Sequence, residues 1–483
     1  MKRIYSTLAF IFIAATTLSL LSCSKSETNS LSVPAKGIIV TKPGDSGTTT
    51  FDSSNITSIY PTSIPEGWTV EDINMYEGTI TVTSPDLPYE EDEVQNGTLS
   101  LMGYTPTGNT RTISIYLAIV ESTVDFYDQP ANCYVVTKPD TRYTFNPMIG
   151  GSATPVATTK VRVLWETKSG LIQYLDMRDG KATFYIAGAK EDEDDEEVGV
   201  YPGNAVIGGY DQSDNLLWSW HIWVTNNDPT TAENTIVLNG QTVMSANLGA
   251  ECNSNGSTDS EKIFDSFGLY YQWGRKDPFV GPATYDFSGN YDHTLTDYRD
   301  VSVAIDYVDS TADEGTSEWT TENPMSIIKG NKENGYDWLY SGHDNTLWST
   351  TTKSESDPCP AGWRVPDASI YSNLTINEIY DNIDWSELQP MYGILLNDIT
   401  SGEEYFFTAQ GRRNYLDCRL DIINDDEFCP VPWSGYYWTA TTEGEDASAM
   451  FFDLNTATRT WNGFDAKRAM HRANALPIRC VRE

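Results

Sequence analysis

Asp357-Pro358-Cys359-Pro360-Ala361-Gly362-Trp363-Arg364-Val365-Pro366 is the stretch on which the chain is organised, read with the closing run Ile478-Arg479-Cys480-Val481-Arg482. Each proline locks its own φ and restrains the residue before it, so Cys359, between Pro358 and Pro360, has little backbone freedom. Cys480 lies in a short β-like run near the C-terminal end. A Cys359–Cys480 pair would tie the start of a large loop-rich unit to its last strand.

At 483 residues the chain is long enough for about three domains. The acidic excess is large, with a formal charge of −38. Such a surface repels phosphate backbones and bare anionic membranes, which argues against nucleic acid as a partner. With 69 acidic residues, neighbouring carboxylates arise by chance and do not argue for glycosidase chemistry.

Residues 1–22 read as a signal peptide. Lys2 and Arg3 form a positive start, and Leu8 to Leu18 is a largely apolar run too short to span a bilayer. Leu20-Leu21-Ser22-Cys23 resembles a bacterial lipobox, which implies cleavage before Cys23 and lipidation of that residue. Two or more acyl chains suffice for stable attachment. Ser rather than Asp at position 24 implies, by the same resemblance, the outer membrane. Residues 23–30 form a tether, too polar to fold.

Residues 31–122 predict an immunoglobulin-like β-sandwich. Thr79-Ile80-Thr81-Val82-Thr83, Gly97-Thr98-Leu99-Ser100-Leu101 and Thr112-Ile113-Ser114-Ile115-Tyr116-Leu117 alternate with the two-residue period of strands. Residues 123–228 predict a second sandwich. Its Leu216-Leu217-Trp218-Ser219-Trp220-His221-Ile222-Trp223-Val224 run puts Trp218, Trp220, Ile222 and Val224 on one face and Ser219, His221 and Trp223 on the other. These tryptophans read as core and His221 as a satisfied strand residue. The acidic run Glu191–Glu197 reads as a solvated loop, because it lacks the spaced ligands and glycine of a calcium loop.

Asn226-Asn227-Asp228-Pro229-Thr230-Thr231 reads as a polar linker into a third unit, 235–483. The pattern from Ile370 to Leu388, with Asp367 as cap, predicts a helix. Within this unit, Met244-Ser245-Ala246-Asn247-Leu248-Gly249-Ala250 and Phe267-Gly268-Leu269-Tyr270-Tyr271-Gln272-Trp273-Gly274-Arg275-Lys276-Asp277-Pro278-Phe279 precede the Cys359 stretch. Gly435-Tyr436-Tyr437-Trp438-Thr439-Ala440-Thr441 and Pro477-Ile478-Arg479-Cys480-Val481 follow it. In this order the five blocks resemble the Fibrobacter succinogenes major paralogous domain family. The resemblance implies an α+β, C-type-lectin-like fold of bacterial surface and fimbria-associated lipoproteins, with no established ligand. The expected fold is therefore multidomain: two all-β sandwiches followed by an α+β lectin-like domain.

Of seven cysteines, Cys23 is assigned to lipid, leaving six. Cys359 with Cys480 and Cys418 with Cys429 are the disulfide candidates, and Cys133 and Cys252 are left as thiols. No Cys-x-x-Cys pair occurs and the four histidines are scattered, so no metal and no cofactor are expected. Trp461-Asn462-Gly463 is similar to the lectin Trp-Asn-Asp element but has glycine where an acidic ligand belongs, which argues against calcium-dependent sugar binding. Trp433, Tyr436, Tyr437 and Trp438 read as core rather than as a sugar platform. No catalytic residue is assigned.

The reading is a non-enzymatic, lipid-anchored surface protein whose two sandwiches form a stalk for a terminal recognition domain. Possible partners are a glycan, a host surface or fimbrial subunits. Two alternatives stand beside it: an accessory or tip subunit of a fimbria-like assembly, and an enzyme of the formylglycine-generating type. The latter needs paired redox cysteines, and Cys480 has no near neighbour of that kind.

Overall fold

The computed structural model describes residues 29–86, 96–190, 197–253, 260–282, 294–376, 393–421, 434–455 and 460–483. The signal peptide, Cys23, Cys429, Trp433 and most of the acidic run lie outside them. The described residues are mostly β, in sandwich-like layers.

The first unit packs two sheets. Gly37–Val40 (β1), Ser46–Thr50 (β2), Ser58–Ser63 (β3), Thr69–Asn74 (β4), Thr79–Thr83 (β5), Gly97–Tyr104 (β6) and Thr110–Ile119 (β7) form sheets in the orders β1-β7-β6-β3 and β2-β5-β4. The alternation of β5 is realised: Ile80 and Val82 are buried while the threonines between them are half-buried. They meet Ile38, Val40, Trp68, Leu99, Leu101, Ile115 and Leu117 in one core. β1 runs parallel to β7, from Gly37 opposite Tyr116 to Val40 opposite Ile119.

The second unit contains Thr123–Asp125 (β8), Cys133–Val136 (β9), Thr141–Phe145 (β10), Lys160–Glu166 (β11), Tyr174–Arg178 (β12), Lys181–Ile186 (β13), Gly203–Tyr210 (β14) and Leu216–Val224 (β15). One sheet is ordered β8-β10-β13-β12. The other is β9-β15-β14-β11, extended by Leu295–Thr296 (β18) and Ser302–Val303 (β19) from much later in the chain. In this sheet β9 runs parallel to β15, with Cys133 opposite His221 and Val136 opposite Val224.

β15 is buried on both faces. Trp220, Ile222 and Val224 enter the sandwich core, while Trp223 enters a second core with Met244, Trp273, Trp348, Trp363 and Trp438. That second core joins residues on both sides of the expected linker, so the second sandwich and the third unit pack as one body. The linker itself is folded in: Pro229 is buried, and the Asp228 carboxylate accepts from Thr230 N at 2.9 Å. Burial of the second face also explains why this strand carries bulky residues at successive positions.

In the third unit, Thr235–Leu238 (β16) and Gln241–Met244 (β17) join Trp363–Arg364 (β20) and Val481–Arg482 (β27) in one sheet, ordered β16-β17-β27-β20. Leu374–Ile376 (β21), Gly393–Asp398 (β22) and Glu404–Thr408 (β23) form a second, and Ser434–Glu443 (β24), Asp446–Asn455 (β25) and Thr460–Met470 (β26) a third. Its described α-helices are Ser260–Asp265 (α1) and Ser317–Glu322 (α2), six residues each, so the helical share is small. The helix expected from Ile370 to Leu388 does not form as read. Ala368–Tyr371 is a 3₁₀ turn capped by Asp367, and the chain then extends into β21. Asn373 and β-branched Thr375 and Ile376 favour that extension over a continued helix. Residues 377–392 lie outside the described ones.

Candidate functional site

Cys359 and Cys480 form a disulfide across a sequence separation of 121 residues. A buried ion pair shapes the loop before it. Lys353 Nζ lies 2.7 Å from Asp357 Oδ1 and donates to the main-chain oxygens of Cys359 (2.6 Å) and Trp363 (2.9 Å). The Asp357 carboxylate also accepts from Cys359 N and Val365 N, each at 2.9 Å. With both charges buried, this geometry satisfies the carboxylate and holds the turn that the prolines begin.

The second sandwich grips the same loop. Asn132, 1% exposed, donates from Nδ2 to Glu355 O (2.7 Å) and Asp357 O (2.9 Å). Its Oδ1 accepts from Gly151 N (3.1 Å) and Trp218 Nε1 (3.0 Å). The next residue, Cys133, pairs with Pro360 in a parallel bridge. The Glu355 carboxylate sits in a cradle of donors, from the amides of Ser152, Ala153 and Thr154 and the hydroxyls of Ser152 and Thr154. Burial alone would raise its pKa, but these hydrogen bonds outweigh it and the group ionises below the usual glutamate range. Gly151 has φ 56°, and a Cβ there would overlap the Glu355 main chain. Nearby, Ser219 donates to Asp277 at 2.8 Å, and Lys276 pairs with Asp277 at 2.6 Å while lying 4.8 Å from the Trp218 ring centre. The Arg-Lys-Asp block of the third unit is thereby locked onto β15.

Beside the Cys133–Pro360 bridge lies an open groove of about 310 Å³, walled by β8–β9 and their flanks on one side and by Pro360, Ala361 and Trp363 on the other. Phe126 is half-buried in its wall and stacks on Tyr134 (5.3 Å) and Tyr143 (5.9 Å). Gln129 and Lys138 are exposed at the rim, with half-buried Thr137, Asp228 and Thr230 between. Trp363 is buried at the base, with the Arg482 guanidinium 5.0 Å over its ring. An aromatic face beside several hydrogen-bonding groups suits a small polar ligand with an apolar side. Cys133 also borders the groove, but burial pushes its thiol up, so it stays protonated and weakly nucleophilic at neutral pH.

No family model and no curated protein matches the chain. Among solved structures it is similar to the D00-D0 domain of Intimin, at TM-score 0.18 and 12% identity, over 40% of this chain and 96% of that one. It is similar to the Bacteroides ovatus mixed-linkage glucan utilization locus SGBP-B in complex with a mixed-linkage heptasaccharide, at TM-score 0.13 and 10% identity, over 41% and 44%. Protocadherin Gamma B7 extracellular cadherin domains 1–4 give TM-score 0.15 and 11% identity, over 41% and 50%. Scores this low assign the chain to no family.

The other residues singled out in the sequence occupy structural positions. His221 is 2% exposed, its Nε2 is 2.9 Å from Asn204 Oδ1, and burial lowers its pKa to about 3. Tyr437 and Trp438 are fully buried, and Tyr436 is half-buried against Phe451. Of the other histidines, His343 has its Nδ1 2.7 Å from Asp337 Oδ2. The expected Cys418–Cys429 bridge is not seen: Cys418 is a buried free thiol, pushed up to about 12 by desolvation, and Cys429 lies outside the described residues. Cys418 has φ 62° and packs with Tyr270, Phe279 and Ile327, so it serves as a small core residue at a tight turn. Cys252 donates to Lys262 O at 3.3 Å. The groove residues Phe126, Gln129, Lys138, Asp228 and Thr230 went unread, because their signal exists only once three distant segments meet.

Proposed function

We propose that this chain is a lipid-anchored surface recognition protein that holds a glycan-like ligand in the groove between the second sandwich and the disulfide loop. The groove carries the reading. It offers the Phe126 ring for a sugar's C–H face and Gln129, Thr137, Asp228 and Thr230 for its hydroxyls. The strongly acidic surface disfavours polyanions, which points to neutral sugars. The walls are held by the Asn132, Glu355 and Asp357 networks, so the site needs little ordering on binding. Cys23 supplies the anchor and the outer membrane is the location. The resemblance of the C-terminal blocks to lectin-like surface domains supports the same class of activity.

The shared core makes the whole chain, rather than 235–483 alone, the reagent for a test. Retention on a panel of neutral oligosaccharides is expected for the wild type and lost for Phe126→Ala and Gln129→Ala. Clean absence of binding by a folded wild type, or binding unchanged in both variants, would overturn the groove as the site.

A further inference from the structure

We infer that the chain is built to carry tension from its N-terminal end to the groove. The inference rests on the anchored-recognition reading for its purpose, but not for its mechanics. In the first sandwich β1, which follows a short strand Ser30–Ser32 paired antiparallel with Asp52–Ser54, lies beside the leaving strand β7 and runs parallel to it, and in the second the leaving strand β15 runs parallel to β9, the strand after β8. β1 is paired with β7 over Gly37–Val40 and Tyr116–Ile119, and β9 is paired with β15 over Cys133–Val136 and His221–Val224. β8, where the chain enters the second sandwich, is likewise parallel to its neighbour β10.

A pull on the N-terminal end of one strand against the C-terminal end of its parallel neighbour slides the two past each other. All the ladder's hydrogen bonds then bear the load together and must break together. A pull on two ends at the same side opens the ladder one pair at a time, and each bond alone is weak. Forced unfolding follows the height of the unfolding barrier, so loading direction decides resistance. An antiparallel pair of terminal strands, the commoner arrangement between sheet neighbours, would lack this property.

Two further features lie along the same path. Between the sandwiches, Lys36 lies 2.8 Å from buried Glu166 and 2.9 Å from Asp300, while Ala35, Ile39, Ala118 and Val120 pack on Tyr174 and Tyr185. At the far end, load reaching Cys480 passes through the disulfide to Cys359, so residues 360–479 are excluded from extension. Pro360, Ala361 and Trp363, one wall of the groove, lie inside that protected loop.

The test is single-molecule stretching of the whole chain between handles at its two ends, compared with the same chain held at Lys42 and Glu121. Both of those residues are exposed and follow the same ends of β1 and β7, so that geometry unzips the pair. Unfolding of the first sandwich is expected at a severalfold higher force in the end-to-end geometry. Under reducing conditions the fully stretched chain should lengthen by ~430 Å, from ~3.6 Å per residue over the 121-residue separation. Equal forces in the two geometries, or no added length on reduction, would overturn the inference. Neither readout involves Cys23 or any sugar, so its failure is separate from failure of the recognition reading.

Discussion

The side chain of Asn132 donates to the main-chain oxygen of Asp357 at 2.9 Å, across 225 residues of sequence, with both residues buried. Three further hydrogen bonds, to Glu355 O and from Gly151 N and Trp218 Nε1, complete its capacity. Asn132→Ala would strand those groups in the interior at ~1–3 kcal/mol for each one left unpaired. A fall of more than ~2 kcal/mol in unfolding free energy is expected on that basis from denaturant titration. A variant as stable as the wild type would show that the junction does not depend on Asn132.

Loss of the disulfide should be felt across the whole joined body. By loop entropy a bridge closing a loop of this length is worth ~4–5 kcal/mol. Cys359→Ser and mild reduction should lower the melting temperature alike, and Cys480 should become reactive to thiol reagents in the variant and in the reduced protein but not in the oxidised wild type. Labelling of Cys480 in the oxidised wild type would contradict the bridge.

Lys353 is buried beside a fully buried Asp357. Lys353→Met removes one partner and leaves the carboxylate uncompensated, a change that costs ~3–5 kcal/mol at buried pairs. Trp363 should then lose its fixed surroundings, read as a change in tryptophan emission. A stability within error of the wild type would mean that Asp357 is held by Cys359 N and Val365 N alone.

His221 is neutral in the folded chain because burial lowers its pKa from 6.5 to about 3. Between those values the unfolded chain binds a proton that the folded chain does not, so stability is complete above pH 6.5 and falls as pH drops. The expected slope from this group is ~1.4 kcal/mol per pH unit. His221→Gln should flatten the decline between pH 6 and 4.5, measured by denaturant midpoints. An unchanged slope would place a charged histidine in the fold.

Glu355 acts at lower pH. Its folded pKa is depressed, so its contribution is present above the ordinary value of 4.5 and lost as pH falls through the folded value. Glu355→Gln should reduce stability at neutral pH and soften the acid limb below pH 4.5. A variant with the wild-type acid limb would remove Glu355 from the junction's pH response.

Much of the architecture was legible because local patterns and burial agree. The alternation of Thr79–Thr83 became a strand with Ile80 and Val82 inside, and the Leu216–Val224 run became a strand with tryptophan on both faces. Cys418 was misread because parity of cysteines carries no information about distance. The helix from Ile370 was misread because its apolar spacing only loosely matched a helical period, and extended pairing of Leu374–Ile376 with β22 prevailed.

Sequence alone determined that these segments are strands, that Cys359 sits in a stiff turn and that the chain is strongly acidic, because each follows from nearest neighbours or composition. Only the tertiary structure decided that the second sandwich and the terminal unit share a core across Asn226–Thr231. It likewise decided that β1 runs parallel to β7 and β9 to β15, and that Phe126, Asp228 and Trp363 border one groove. Those relations join residues up to hundreds of positions apart. Their free energy comes from burial and hydrogen bonds that do not exist until the chain has closed upon itself.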